Sequence, residues 1–330
     1  MQHMRTLISQ AWAWSLTGVA ILIVCTVNGW WQPWPDLAPH VATFVVIFLG
    51  ILYEALPFLT AGALVAAGIH LFMRPEWLSG MLPKHPWLRT ISGGLLGILF
   101  PVCECGSIPT ARSLMHRGAP VSFGMAFAMA APVINPIVLI STSVAFAGVW
   151  GWDFVAWRFV LTLMVATLVA QWLPMPAVMP VVQMDDHTHA DHDEQLPVVR
   201  WLSHAAVDWL DMARYLVVGA VIAASLQVVV PSEFFLTLAD TPWLAIPAAM
   251  MLAAVMSICS TVDAFVGLSL ANTLPPAAVM AFLVFGPIID LKSIPMFAGL
   301  FGWATTLRML VLVGLVTAGS CAGLEWLGWF

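Results

Sequence analysis

Apolar stretches of about 20 residues recur along this chain, each long enough to cross roughly 30 Å of hydrocarbon. They cover approximately residues 11–31, 40–72, 87–102, 119–148, 154–173, 204–230, 243–259, 263–301 and 302–325. A backbone in hydrocarbon must satisfy its own hydrogen bonds, which leaves helices as the elements that such stretches form. Only 8% of the residues are charged, against about a quarter in soluble domains. The expectation is an all-α polytopic membrane protein with about 8–10 transmembrane helices, partnered by the lipid bilayer. No basic cluster invites nucleic acid, and the net charge is −6. Five cysteines at scattered positions do not make a disulfide framework.

The chain divides at its polar and Pro-rich stretches. Residues 1–39 read as an N-terminal transmembrane helix and loop, with Trp30 and Trp31 as an interfacial belt and no small-residue cleavage site after them. Residues 40–175 form a first repeat, 176–203 an acidic His-rich linker loop, and 204–330 a second repeat. The duplication rests on three blocks in the same order, their offset drifting by one residue at a time. Glu54, Phe58-Leu59, Gly62-Ala63 and Ala66-Ala67 align with Asp211, Tyr215-Leu216, Gly219-Ala220 and Ala223-Ala224. Cys103 falls on Cys259 and Ser113-Leu114 on Ser269-Leu270; Met125-Ala126-Phe127, Pro132 and Asn135 then meet Met280-Ala281-Phe282, Pro287 and Asp290. Hydrophobic bias matches Leu with Val; it does not match acid with acid and Cys with Cys. Twofold construction of this kind typifies secondary transporters, whose substrate sits at the repeat interface. Whether the repeats are parallel or inverted stays open, because a re-entrant segment changes the parity.

Each half holds two breaks in its apolar runs. The first lies at Cys103–Pro109 and at Cys259-Ser260-Thr261-Val262-Asp263. The second lies at Pro132–Pro136 and at Gly286-Pro287-Ile288-Ile289-Asp290. Freed backbone groups at membrane depth are tolerated only against protein or a wet cavity. A lone break reads as a proline kink; four in duplicated positions, each with polar residues, read as a substrate path. Its expected members are Cys103, Glu104, Cys105, Ser107, Asn135, Cys259, Ser260, Thr261, Asp263 and Asp290.

Thiolates select soft ions, so Cys103 and Cys105 are candidate ligands, with Cys259 as a third from the other half. Cys25 and Cys321 have apolar or small neighbours and read as packing residues. Glu104, Asp263 and Asp290 are candidate proton carriers or cation partners, since ionisable groups inside a membrane are costly and functional. Lys292, two residues past Asp290, offers that acid a structural ion pair instead. Glu54 and Asp211 open matched helix segments and read as structural or coupling acids, with Arg214 in reach of Asp211. His187, His189, His192 and Asp191 lie in a loop whose imidazoles and carboxylates suit Zn(II) or Ni(II), or a solvated linker. No other cofactor is expected. No Walker motif, dinucleotide fingerprint or zinc-protease motif is present to carry ATP drive or redox catalysis.

Four motifs together carry a resemblance. They are Pro-x-Cys-x-Cys-Gly-x-x-Pro at 101–109, Ala-Phe-x-x-x-x-Pro-x-Ile-Asn-Pro at 126–136, Cys-x-x-x-Asp-Ala-Phe at 259–265 and Gly-Pro-Ile-Ile-Asp-x-Lys at 286–292. With them the chain resembles the bacterial predicted permeases of the YraQ/ArsP type, from about residue 40 to 320. The resemblance implies a multi-pass inner-membrane permease rather than an enzyme, with cysteines in the substrate path; some members export trivalent organoarsenicals. The leading expectation is secondary active efflux of a soft-liganding substrate by alternating access between two repeats. A permease for a divalent metal or small anion, fed by the His-rich loop, is the alternative. A membrane thiol-redox protein using Cys103 and Cys105 is the third.

Overall fold

The structure, a computed structural model, describes residues 38–72, 82–100, 102–173, 197–230 and 242–329. The described residues form helices and turns with no strand. In chain order the helices are α1 (Ala38–Phe72), α2 (Pro86–Leu95, with a 3-10 turn Leu96–Ile98), α3 (Glu104–His116) and α4 (Val121–Ile134). They continue as α5 (Pro136–Phe146), α6 (Gly151–Trp172), α7 (Pro197–Val229) and α8 (Pro242–Met256). The chain closes with α9 (Asp263–Leu270), α10 (Pro276–Ile288), α11 (Ile294–Phe301) and α12 (Trp303–Trp326).

Five spans are long and apolar enough to cross a membrane: α1, α4 with α5, α6, α7 and α12. This is the all-α multi-pass architecture that the apolar runs predict. Their burial differs by position. α4 and α10 are almost wholly buried, whereas α1, α7 and α12 leave residues such as Val46, Tyr53, Val229 and Leu315 on the outer surface. An apolar helix exposed on one side suits lipid, and one buried all round suits the centre of the molecule.

α4 packs on α2, α3, α6 and α10, and α10 packs on α8, α9, α6 and α12. Around this centre α1 lies along both α7 and α3, α5 meets α9, and α3 meets α11. Small residues set the closest approaches. A Cβ on Gly62 of α1 would collide with the Cα of Gly106 in α3, so only glycine lets those two backbones meet. Gly219 of α7 plays the same part against the backbone of Lys292. Without a hydrophobic effect between helices in lipid, such backbone approach supplies much of the association.

Three expectations are corrected. The run 87–102 is not a spanning helix: α2 with its 3-10 turn ends at Ile98, too short to cross. The stretch Cys103–Pro109 is not irregular throughout: α3 starts at Glu104 and carries Pro109 inside it. A proline in a first turn or two removes only one ladder bond. The expected linker 176–203 ends inside a helix, since α7 starts at Pro197. The predicted N-terminal span with Cys25, and His187, His189, Asp191 and His192, lie outside the described residues.

Candidate substrate path at the helix breaks

Three of the four breaks converge through side chains. Cys103 precedes α3 in an extended conformation, and its carbonyl accepts from Gly106 N at 3.0 Å and Ser107 N at 2.9 Å. Before α9 the carbonyl of Cys259 likewise accepts from Val262 N and Asp263 N, both at 3.0 Å. Each cysteine therefore ends an unwound stretch, and an acid, Glu104 or Asp263, opens the helix that follows. A carboxylate there sits at the positive end of a helix dipole. Cys103, Cys105 and Cys259 are all buried free thiols.

Lys292 joins the two halves. Its Nζ lies 2.8 Å from Glu104 Oε1 and 3.4 Å from Asp290 Oδ2, and donates to Ser257 O at 2.8 Å. The Asp290–Lys292 pair expected from sequence is present, but the closer partner is Glu104 of the other half. Asp290 is anchored separately: its Oδ1 accepts from Ser293 N at 2.8 Å, and Ser293 Oγ accepts from Asp290 N at 3.1 Å. Leu291 N donates to Ala254 O, tying this break to the end of α8.

A second buried ion pair flanks the first. Arg158 of α6 lies 2.5 Å from Asp263 Oδ2 and donates to Thr142 Oγ1 at 2.6 Å. Arg158 carried no role in the sequence reading, although an arginine inside the apolar run of α6 is itself a signal of an intramembrane partner.

Several expected members have structural partners. Ser107 Oγ donates to Ala128 O at 3.1 Å. That carbonyl lies four residues before Pro132, which has no N–H to offer it. Asn135 Oδ1 accepts from Ile137 N at 2.9 Å and so caps α5. Ser260 is buried, and Thr261 Oγ1 contacts Cys259 Sγ at 3.5 Å. Asp211 pairs with Arg112 of α3 at 2.6 Å and with Arg214, fixing α7 to α3 away from the cysteines. Glu54 is half-buried on α1.

Among the described residues no group of three or more His, Cys, Asp or Glu is placed to hold a metal ion. The Cys103–Cys105 pair and Cys259 are separate features of one buried region.

Comparison with known proteins places the whole assembly. A family model described as "Predicted permease", of the ArsP type, matches residues 40–322. The UPF0718 protein YcgR of Bacillus subtilis is 36% identical over 279 residues, covering 83% of this chain and 94% of that protein. A Streptococcus mutans protein, named as a candidate subunit of a two-component membrane permease complex, is 33% identical over 291 residues, covering 86% and 96%. The UPF0718 protein YraQ of Escherichia coli is 28% identical over 174 residues, covering 51% and 46%. No solved structure matches.

Proposed function

Since the chain belongs to the predicted-permease family and is a multi-pass bacterial membrane protein, we propose that its cargo is a soft, thiol-seeking species of the trivalent organoarsenical kind. We further propose that it leaves the cell by secondary active transport, through alternating access between two repeats. The observation that carries this reading is the pair of buried free thiols, Cys103 and Cys105, at the break before α3. Trivalent arsenic bearing one carbon substituent has two bonds left for sulfur, so two adjacent thiols suffice and a three-ligand cage is unnecessary. Soft thiolate donors suit such a centre. Cys259, across the interface, is a second station on the same route.

The repeat reading is supported by packing that recurs in matched pairs. α2 packs on α4 as α8 does on α10, α4 on α6 as α10 on α12, and α3 on α11 as α9 on α5. The departure is at the outside: α1 packs on α3, whereas α7 packs on α11. Unlike outer contacts around a like centre are what a transporter caught in one of two unequal conformations presents.

Transport into everted vesicles tests the cargo. Uptake of methylarsenite or phenylarsenite is expected in wild type and is lost in Cys103→Ser and Cys105→Ser. If both variants transport at wild-type rates, the thiol route is wrong. A divalent-metal cargo is the second reading, favoured by the His187, His189 and His192 loop alone. Deleting residues 185–194 then weakens metal tolerance, and unchanged tolerance removes that reading. A two-subunit assembly, as the name of the Streptococcus relative describes, is tested by the mass of the complex in detergent.

A further inference from the structure

The buried charges do not balance. Among the described residues the buried charged side chains are Glu104, Asp263, Asp290, Arg158 and Lys292. Arg158 and Asp263 match one to one. Glu104 and Asp290 share the single ammonium of Lys292, two carboxylates to one cation. A net negative charge left at membrane depth is costly, and it is tolerated where something compensates it. The N-terminus of α3 lends Glu104 a partial positive charge, about half a unit, which is short of what is needed.

The free acceptors are equally specific. Glu104 Oε2 and Asp290 Oδ2 are buried and have no hydrogen-bond partner; Asp263 Oδ1 shares that state, but its carboxylate has the whole charge of Arg158 to answer it. Asp290 Oδ2 faces Lys292 at ion-pair range only. The surroundings are built to hold Lys292 in place rather than to relieve these oxygens. Ser257 adopts a left-handed φ of 48° and aims its carbonyl at Nζ. A non-glycine residue held there stores strain that the surrounding structure must support. Behind Lys292, Gly219 leaves room for its backbone and nothing more.

We propose that Glu104 and Asp290 together bind one proton, which brings the Glu104–Lys292–Asp290 triad to neutrality, and that this proton is the coupling ion of transport. The coupling half rests on the permease reading above; the binding half does not. A proton fits better than an alkali or divalent cation because hard cations gather about six oxygen ligands. Here Asp290 Oδ1 is spent on Ser293 N and Ser257 O on Lys292. The proton arrives from bulk water on one side, sits on a carboxylate oxygen of the pair, and leaves to the other side. Glu104 stands in one proposed repeat and Asp290 with Lys292 in the other, so each arrival or departure alters the attraction across their interface. The groups facing the pair are the thiols Cys103, Cys105 and Cys259 and the balanced Arg158–Asp263 pair. Asp211, Arg112 and Arg214 of α3 and α7 are engaged with one another.

Infrared difference spectroscopy of the full-length protein in lipid tests this without any cargo. Spectra are taken from about pH 5 to about pH 9, a range reached by desolvated carboxyls. Wild type is expected to show the stretch of one protonated, water-shielded carboxyl that titrates. Glu104→Gln and Asp290→Asn each leave Lys292 one acid, so either should abolish the band. Asp290→Asn removes the acid with no hydrogen bond from Lys292 and serves if Glu104→Gln fails to fold. Asp263→Asn should retain the band. A wild type with no such band overturns the proposal, as does a band lost only in Asp263→Asn. A band that emerges only when sodium is replaced by N-methylglucamine makes the ion sodium and also overturns it. Cargo never enters, so loss of the arsenical reading would leave this result standing.

Discussion

Ser107 reads in the sequence as a hydroxyl on the substrate path, and in the structure it repairs a helix. Pro132 cannot donate to the carbonyl of Ala128, and Ser107 Oγ does so from α3. Ser107→Ala would leave that buried carbonyl unsatisfied, at about 1–3 kcal/mol. The expected outcome is a lower thermal midpoint in detergent with cargo binding unchanged; an unaltered midpoint would return Ser107 to the path. Arg158→Met should cost more, about 3–5 kcal/mol, because it strands Asp263 in the core. Adding Asp263→Leu should recover much of that loss, and a double variant as unstable as the single would mean that the pair does more than compensate charge. At this scale the sequence identified acids and thiols and the near-neighbour partners Lys292 of Asp290 and Arg214 of Asp211, but not the partners that come from distant parts of the chain. Composition marks Glu104 as expensive, yet only the fold shows that Lys292, far along the chain, is what answers it.

Elements were more legible than pairings. Proline and glycine marked the breaks at 103–109, 132–136 and 286–290, because proline lacks a donor and glycine lacks a preferred dihedral, whereas the break at 259–263 was marked only by its run of polar residues and its match to Cys103. Length was less reliable. The run at 87–102 is apolar enough to look like a span, but its helix stops early, where Gly93 and Gly97 press against Phe123 and Ala131 of α4. Local propensity and tertiary contact agree there, since Gly93, Gly94 and Gly97 are weak helix formers and two of them lie where the backbone of α4 comes close. The same backbone proximity predicts an outcome for Gly219→Val. The added atoms would displace Lys292 from between Glu104 and Asp290, and the variant should fold poorly or lose transport. Gly50→Val meets open space and serves as the control. If both variants express and transport alike, the contact between α7 and the 290–293 break is dispensable.

For the whole molecule, the buried cysteines define a state. Cys103, Cys105 and Cys259 are all closed off from solvent in this conformation. A permease that works by alternating access must open that region to one side at a time. Duplicated residues suggested such motion in the sequence, but only the unlike outer packing of α1 and α7 indicates where a difference between the halves resides. A membrane-impermeant maleimide, applied to a variant lacking Cys25 and Cys321, measures the opening. Labelling of Cys103 and Cys259 should be slow at rest, because it waits on a minor open population, and should change rate when cargo is added. Cargo shifts the equilibrium only through unequal affinity for the two states. Labelling at the rate of a surface cysteine, indifferent to cargo, would mean that the thiols face a standing water-filled pore, and alternating access would have to be abandoned for this chain.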